Sequence, residues 1–160
     1  MVLPYPKSVG RGRIRVKAFA VILDDARERM AVARMSTPEH PVFHRPLGGT
    51  VAVGERSCAA VVRQIAEELE TTLVDPELIG VLESIFTIEG ETGHEVVFAY
   101  AGRLLDREAV PPQGRTFWDV DLEGWVEWRP IAGQPDVPLF PEGLQELVED
   151  HLARSRAGRS

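Results

Sequence analysis

Residues 11–23 alternate polar and apolar through Arg-Ile-Arg-Val-Lys-Ala and then become continuously apolar from Phe19 to Leu23. This pattern predicts a strand half exposed at its start and buried at its end. The charged segment 24–29 reads as a turn, and MAVARM (30–35) as the partner strand of a hairpin. Prolines make 36–41 a loop, and 42–47 is a short strand running into Gly48-Gly49. Further on, 78–87 is a strand with a bulge or bend at Gly80, 88–93 a turn, and 94–105 a strand rich in Val, Phe and Tyr. Segment 106–122 is polar and contains Pro111-Pro112 and Gly114, which predicts a long loop lining a substrate entrance. A short strand follows at 124–131, then a Pro-rich connection at 135–141. Leu144, Leu147, Val148 and Leu152 recur at helical spacing within 142–153, which predicts an amphipathic helix. The ends, 1–10 and 154–160, read as an irregular arm and a frayed tail.

The stretch from Pro46 to Thr72, PLGGTVAVGERSCAAVVRQIAEELETT, is organised differently. A glycine turn and Gly54 lead into a helix starting near 55–57, with Ser57 as its cap. Gln64, Glu67 and Glu68 are spaced i, i+3, i+4 and share one face, with Arg63 beside them; Val61, Ile65 and Leu69 lie on or near the other side. Crowded carboxylates repel unless a cation neutralises them, and Mg2+ takes carboxylates together with water and substrate phosphates. Glycines allow the backbone to approach a ligand closely. The bland alternative is a solvated face of Arg and Glu pairs such as Arg63 with Glu67; the glycine turn and Glu55 weigh against it.

These residues resemble the signature of the Nudix family, G-x5-E-x7-R-E-U-x-E-E-x-G-U with U a bulky aliphatic. Gly49, Glu55, Arg63, Ile65, Glu67 and Glu68 match in register; Gln64 stands in place of Glu, Glu70 of Gly and Thr71 of an aliphatic. The resemblance implies a single domain over 1–160 with the α/β/α sandwich of that family, a mixed sheet between helices. It implies hydrolysis of a nucleoside diphosphate linked to another moiety, with Mg2+ or Mn2+ as cofactor. Glu67, Glu68 and the carbonyl of Gly48 or Gly49 then hold metal, and Glu55 and Arg63 keep loop and helix in register. Glu95, with Glu83 and Glu89 behind it, is the candidate for a further acid completing the metal site, with a surface carboxylate the alternative for each. Arg45 and His44 are candidates for a substrate phosphate, with a solvent-facing strand residue the alternative for His44; His94 is a candidate for positioning substrate. Trp118 and Phe117 are stacking candidates that otherwise pack the loop. An amide at Gln64 is neutral and cannot act as a base, so a Nudix-fold nucleotide-binding module of little activity is the second reading. With Glu70 a poor left-handed terminator, the helix is expected to run on through Thr71-Thr72 until Pro76 stops it.

Composition narrows the partners. The chain has 160 residues, 44% hydrophobic and 27% charged, which fits one soluble domain. A net charge of −7 disfavours a nucleic-acid polymer as partner and leaves a small metal-bridged phosphate compound. The single cysteine, Cys58, excludes an internal disulfide, suits a reducing cytoplasm and is expected to be a packing residue. No apolar run is long enough to cross a bilayer, and the start carries no leader pattern. The family resemblance further points to a homodimer.

Overall fold

The structure, a computed structural model, describes residues 3–4, 12–119, 122–133 and 136–159. In chain order the elements are β1 (Leu3–Pro4), β2 (Ile14–Leu23), β3 (Arg29–Ser36), β4 (Phe43–Arg45), β5 (Leu47–Thr50), α1 (Ser57–Leu69), β6 (Leu73–Ile88), β7 (Glu91–Leu104), β8 (Arg115–Asp119), β9 (Leu122–Pro130) and α2 (Leu144–Ala157).

The strands form one mixed sheet in the order β6-β7-β2-β3-β9-β8, with β1 and β4 attached to β3 and β5 to β2. β2 pairs in parallel with β7 along Ile14–Ile22, while β5 and then β3 take its other edge in antiparallel register. Successive strand residues face opposite sides, and β2 uses both. Ala18, Ala20 and Ile22 join Ala60, Val61, Ile65 and Leu69 of α1 in one core. Val21 and Leu23 join Leu144, Val148 and Leu152 of α2 in the other. Burial on both sides explains why the end of β2 reads as an unbroken apolar run. The result is the α/β/α sandwich that the order of elements implied.

Several expectations are corrected. The polar segment 106–122 is not all loop, because it contains β8. The strand expected at 42–47 is broken at Pro46, which has no N–H to donate. β6 and β7 are longer than the segments 78–87 and 94–105, joined by Glu89-Gly90 with φ of 49° and 82°; the register shift between Leu78 and Gly80 is the expected irregularity. α2 continues through Ala157 where a frayed tail was expected. The arm at 1–10 lies outside the described residues apart from β1, as does the start of the 135–141 connection.

α1 ends at Leu69 rather than running into Thr71-Thr72. Glu70 itself adopts the left-handed conformation, φ 56° and ψ 34°, and its N–H closes on the carbonyl of Ala66. A side chain disfavours that conformation by about 1–2 kcal/mol. Here the strain is held by Leu69 and Leu73, both buried on either side of the turn.

Candidate active site

The loop from Val51 to Arg56 is tied to α1 by one side chain. Arg63 reaches back so that its Nε and Nη2 meet the two oxygens of Glu55 at 2.8 and 2.9 Å. Glu55 Oε1 also accepts from the Ala52 N–H at 3.1 Å, closing the loop on itself. The Arg63 guanidinium, and then the Ala52 amide, hold the Glu55 carboxyl down at about 2. Arg63 further donates to the Thr50 carbonyl at 3.4 Å and stands 3.5 Å from both oxygens of Glu67. Ser57, expected to cap the helix, does not: the cap position is Arg56, without a side-chain bond, and Ser57 Oγ is 2.6 Å from the Tyr100 hydroxyl. Cys58 packs partly buried against the α1 core, as expected.

One glycine lets β5 close on β2, and the next makes room for α1. A Cβ at Gly48 would collide with the carbonyl oxygen of Ala18 on β2. A Cβ at Gly49 would stand 2.6–2.9 Å from the amide of Gln64. The Gln64 amide therefore fills the space beside the glycine that a side chain would need.

One turn on, Glu68 is 5% exposed and its Oε1 is a buried acceptor with no hydrogen-bond partner. Burial, and then the negative charge of Asp119, push its carboxyl well above the usual range; Arg45 and the Gly48 amide oppose them. Glu67, on the neighbouring position, is mostly exposed. Asp119 was absent from the sequence-based candidates. Alternation on β8 carries Arg115, Phe117 and Asp119 to one side: Arg115 Nη2 donates to the Leu69 carbonyl at 3.3 Å, and Phe117 is buried in the α1 core. Trp118 points the other way and is 60% exposed.

Arg45 lies with its guanidinium 5.2 Å from the centre of the Phe19 ring. Both line a cavity of about 310 Å³ whose other walls include Phe43, Phe86, Phe140 and Glu95. Trp118 is not among its lining residues. Lys17, 8% exposed, donates to Thr50 Oγ1 at 3.0 Å; burial and then Arg45 pull its ammonium down to about 8.

Three sequence-based candidates fall elsewhere. Glu95 sits on β7 opposite Arg15, its Oε2 2.9 Å from the Arg15 guanidinium and 3.9 Å from Lys17 Nζ. These two cations offset the Glu95 charge on β7. His44 faces away from Arg45, as neighbours on a strand must. Its Nε2 is 3.0 Å from Glu127 Oε2 and its Nδ1 3.0 Å from Arg129 Nη1, so both ring nitrogens are engaged bracing β4 against β9. Phe117, a stacking candidate, is core. Of the reserves, Glu83 pairs with His94 at 3.2 Å near the rim, and Glu89 occupies the β6–β7 turn.

The described residues contain no ready-made group of three or more His, Cys, Asp and Glu fit to hold a metal ion. They do contain a buried, unpartnered carboxylate oxygen at Glu68, a like charge at Asp119 and an exposed acid at Glu67. A hard divalent ion needs one or two carboxylates, with water and phosphate completing its shell. The donor set fits such an ion.

The NUDIX domain model matches residues 14–141. The chain belongs to the Nudix family. By that membership it is a Nudix-type pyrophosphohydrolase. This Nudix fold is similar to a MutT NUDIX hydrolase from Burkholderia pseudomallei, 24% identical, TM-score 0.60, covering 86% of this chain and 97% of that one. A NUDIX hydrolase from Nitrosomonas europaea aligns at 20% identity and TM-score 0.59, over 88% of this chain and 90% of its own. A MutT protein from Methanosarcina mazei Go1 aligns at 17% and 0.57, over 89% and 95%. At these identities the likeness concerns the fold. No curated protein sequence matches this Nudix chain. None of its described helices is long and apolar enough to cross a membrane.

Proposed function

We propose that this chain hydrolyses a pyrophosphate bond in a nucleoside diphosphate linked to another moiety, with Mg2+ or Mn2+ as cofactor. The observation that carries the reading is Glu68, a buried carboxylate with an unpartnered oxygen set against Asp119. Burying a charge is costly unless something neutralises it. Glu68, Glu67 and the carbonyl of Gly48 or Gly49 would hold the ion. Bound there, it offsets charge on the phosphate oxygens and acidifies a water.

The chain's own residues then divide the work. Arg45, at the mouth of the cavity, meets phosphate oxygens with a planar fork of donors. Lys17 adds positive charge behind it, and Glu95 keeps Arg15 and Lys17 in place. Glu55 and Arg63 fix the loop so that Gly48, Gly49 and Glu68 keep their spacing. The aromatic walls at Phe43, Phe86 and Phe140 suit a nucleobase or another flat moiety. Trp118 offers an exposed ring outside the cavity. Gln64 holds no exchangeable charge at neutral pH, so it takes no proton from the water.

The second reading, a binding module of the same fold, is favoured by Gln64 alone. The test is the purified chain incubated with nucleoside triphosphates, dinucleotides, ADP-ribose-like compounds and nucleotide sugars in Mg2+ or Mn2+. Mononucleotide or phosphate release that disappears in Glu68→Gln supports the hydrolase. Tight binding with no turnover supports the module. The same preparation gives the oligomeric state by light scattering; a dimer is the expected form.

A further inference from the structure

The cavity has a charged end and an aromatic end. Arg45 and Glu95 line the first. Phe43 lies two residues from Arg45 on β4, and Phe86 and Ile88 follow Ser84, the partner of Glu95, along β6. Two segments remote in sequence meet beyond them, the loop 37–42 and the β6–β7 turn at Glu89-Gly90. The loop is stiff in itself: the Thr37 N–H donates to the His40 carbonyl at 2.8 Å, and the His40 N–H to Thr37 Oγ1 at 3.1 Å. The His40 ring stands 5.0 Å from that of Phe140, and Phe140 5.5 Å from Phe43, so the loop carries part of the aromatic wall. One bond joins loop and turn: Glu39 Oε1 accepts the Glu89 N–H at 2.7 Å. That amide, and then its own, hold the Glu39 carboxyl below its ordinary value.

We propose that Glu39 is a positioning residue for substrate: its bond to Glu89 clasps the loop to the hairpin and closes the end of the cavity away from Arg45. The assignment rests on the reading above, in which phosphate meets Arg45 and a flat moiety fills the cavity. Thr37 and His40 line it from the loop, and residues 84–88 from β6. Without the clasp these walls belong to two pieces that move separately. With it, the moiety meets a wall already in place, which spares the ordering that binding otherwise costs. Glu39 is not among the lining residues, so it acts through the others. The clasp bears on the enclosed moiety and not on α1, so it strengthens binding and leaves the chemical step alone.

Glu39→Ala tests this on whichever compound of the panel is turned over best. KM should rise about fivefold, the worth of one hydrogen bond, with kcat unchanged. Inhibition by inorganic pyrophosphate, which carries no flat moiety, should not change. Exchange of the Glu89 N–H, followed by NMR, should accelerate while the β2 amides stay slow. Glu39→Gln keeps an acceptor and should recover most of the lost affinity. Glu91→Gln removes a charge from the same hairpin without touching the bond and should match the wild type. Circular dichroism checks folding, and Glu39→Ser replaces Glu39→Ala if the latter is unfolded. Unchanged exchange at Glu89, or faster exchange with unchanged KM, overturns the clasp and leaves the proposed function standing. An equal loss of pyrophosphate inhibition overturns it too, as does an equal rise in KM in Glu91→Gln. A wild type that turns over no compound removes the hydrolase reading. The comparison then passes to nucleoside monophosphates, with binding measured by calorimetry. Weaker binding by Glu39→Ala supports the clasp there; equal binding, or none by the wild type, overturns it.

Discussion

Arg63 and Glu55 meet through two parallel contacts of 2.8 and 2.9 Å across the entry to α1. A fork of this kind fixes direction as well as distance. Glu55→Gln keeps the volume but removes the charge on which the fork closes. We expect kcat to fall by about tenfold or more, since groups that orient metal ligands matter at that level. Amide exchange in 51–56 should accelerate while the exchange of β2 stays slow. Unchanged exchange in the loop would show that Arg63 does not hold it.

Glu68 sets activity against stability. Its carboxyl is driven toward the neutral form by burial and by Asp119. Glu68→Gln supplies a neutral group of the same shape, so without metal it should melt no lower than the wild type. The rise in Tm that Mn2+ gives the wild type should disappear with it, along with turnover. EDTA should lower the wild-type Tm only to the metal-free value, and added Mn2+ should restore it. A Glu68→Gln protein that Mn2+ still stabilises would contradict the ligand assignment.

His44 should make the fold sensitive to acid. Burial lowers its pKa below 6.5, against the pull of Glu127. With Arg129 donating to Nδ1, that nitrogen must be unprotonated, and Nε2–H faces Glu127. The unfolded chain therefore binds the proton more readily than the folded one. Stability is full above the unfolded value and declines as pH drops below it, until the folded value is passed. His44→Gln retains a donor and an acceptor and should flatten part of this slope in Tm measured from pH 7.5 down to about pH 5. His151, whose pKa burial also lowers, accounts for a remaining slope. Equal slopes in wild type and variant would remove His44 as the source.

The end of α1 carries a correctable strain. Glu70→Gly places a residue tolerant of φ near 56° where a side chain is disfavoured. After the extra freedom of glycine in the unfolded chain, a gain of about 0.5–1 kcal/mol remains. Urea unfolding should show the midpoint move upward with the slope unchanged.

Ile65 measures how far α1 depends on packing. It is fully buried between the helix and β2. Ile65→Ala should cost about 2–5 kcal/mol in urea unfolding. A cost below about 1 kcal/mol would mean that the cavity collapses freely around it.

The box was legible because its spacing is a property of one turn and one helix. Glu55 meets Arg63, and Gly49 meets Gln64, through contacts local in sequence. Contacts distant in sequence were harder to read. Glu95 is answered by Arg15 across a parallel pairing that no local pattern reveals. β8 lies in a segment whose prolines and charges suggested a loop, so Asp119 went unnoticed although Arg115, Phe117 and Asp119 alternate. The place of His44 follows from alternation: on a strand that turns Arg45 to the cavity, its neighbour must face the other way. Glu70 failed differently, because the flanking leucines overrule the intrinsic preference of the residue.

β2 contributes alanines to the seat of α1 and Phe19 to the cavity, with Lys17 on the same side as Phe19, on alternate positions of a single strand. A slip of one residue would send the ammonium beneath the helix and a methyl group to the cavity side. Changes to the cavity sought by mutating this strand are therefore best confined to Lys17 and Phe19, because Val21 and Leu23 serve the α2 core and Ala18, Ala20 and Ile22 serve α1. Leu47 and Phe117 complete the floor beneath α1, and the two tasks share one ribbon of backbone.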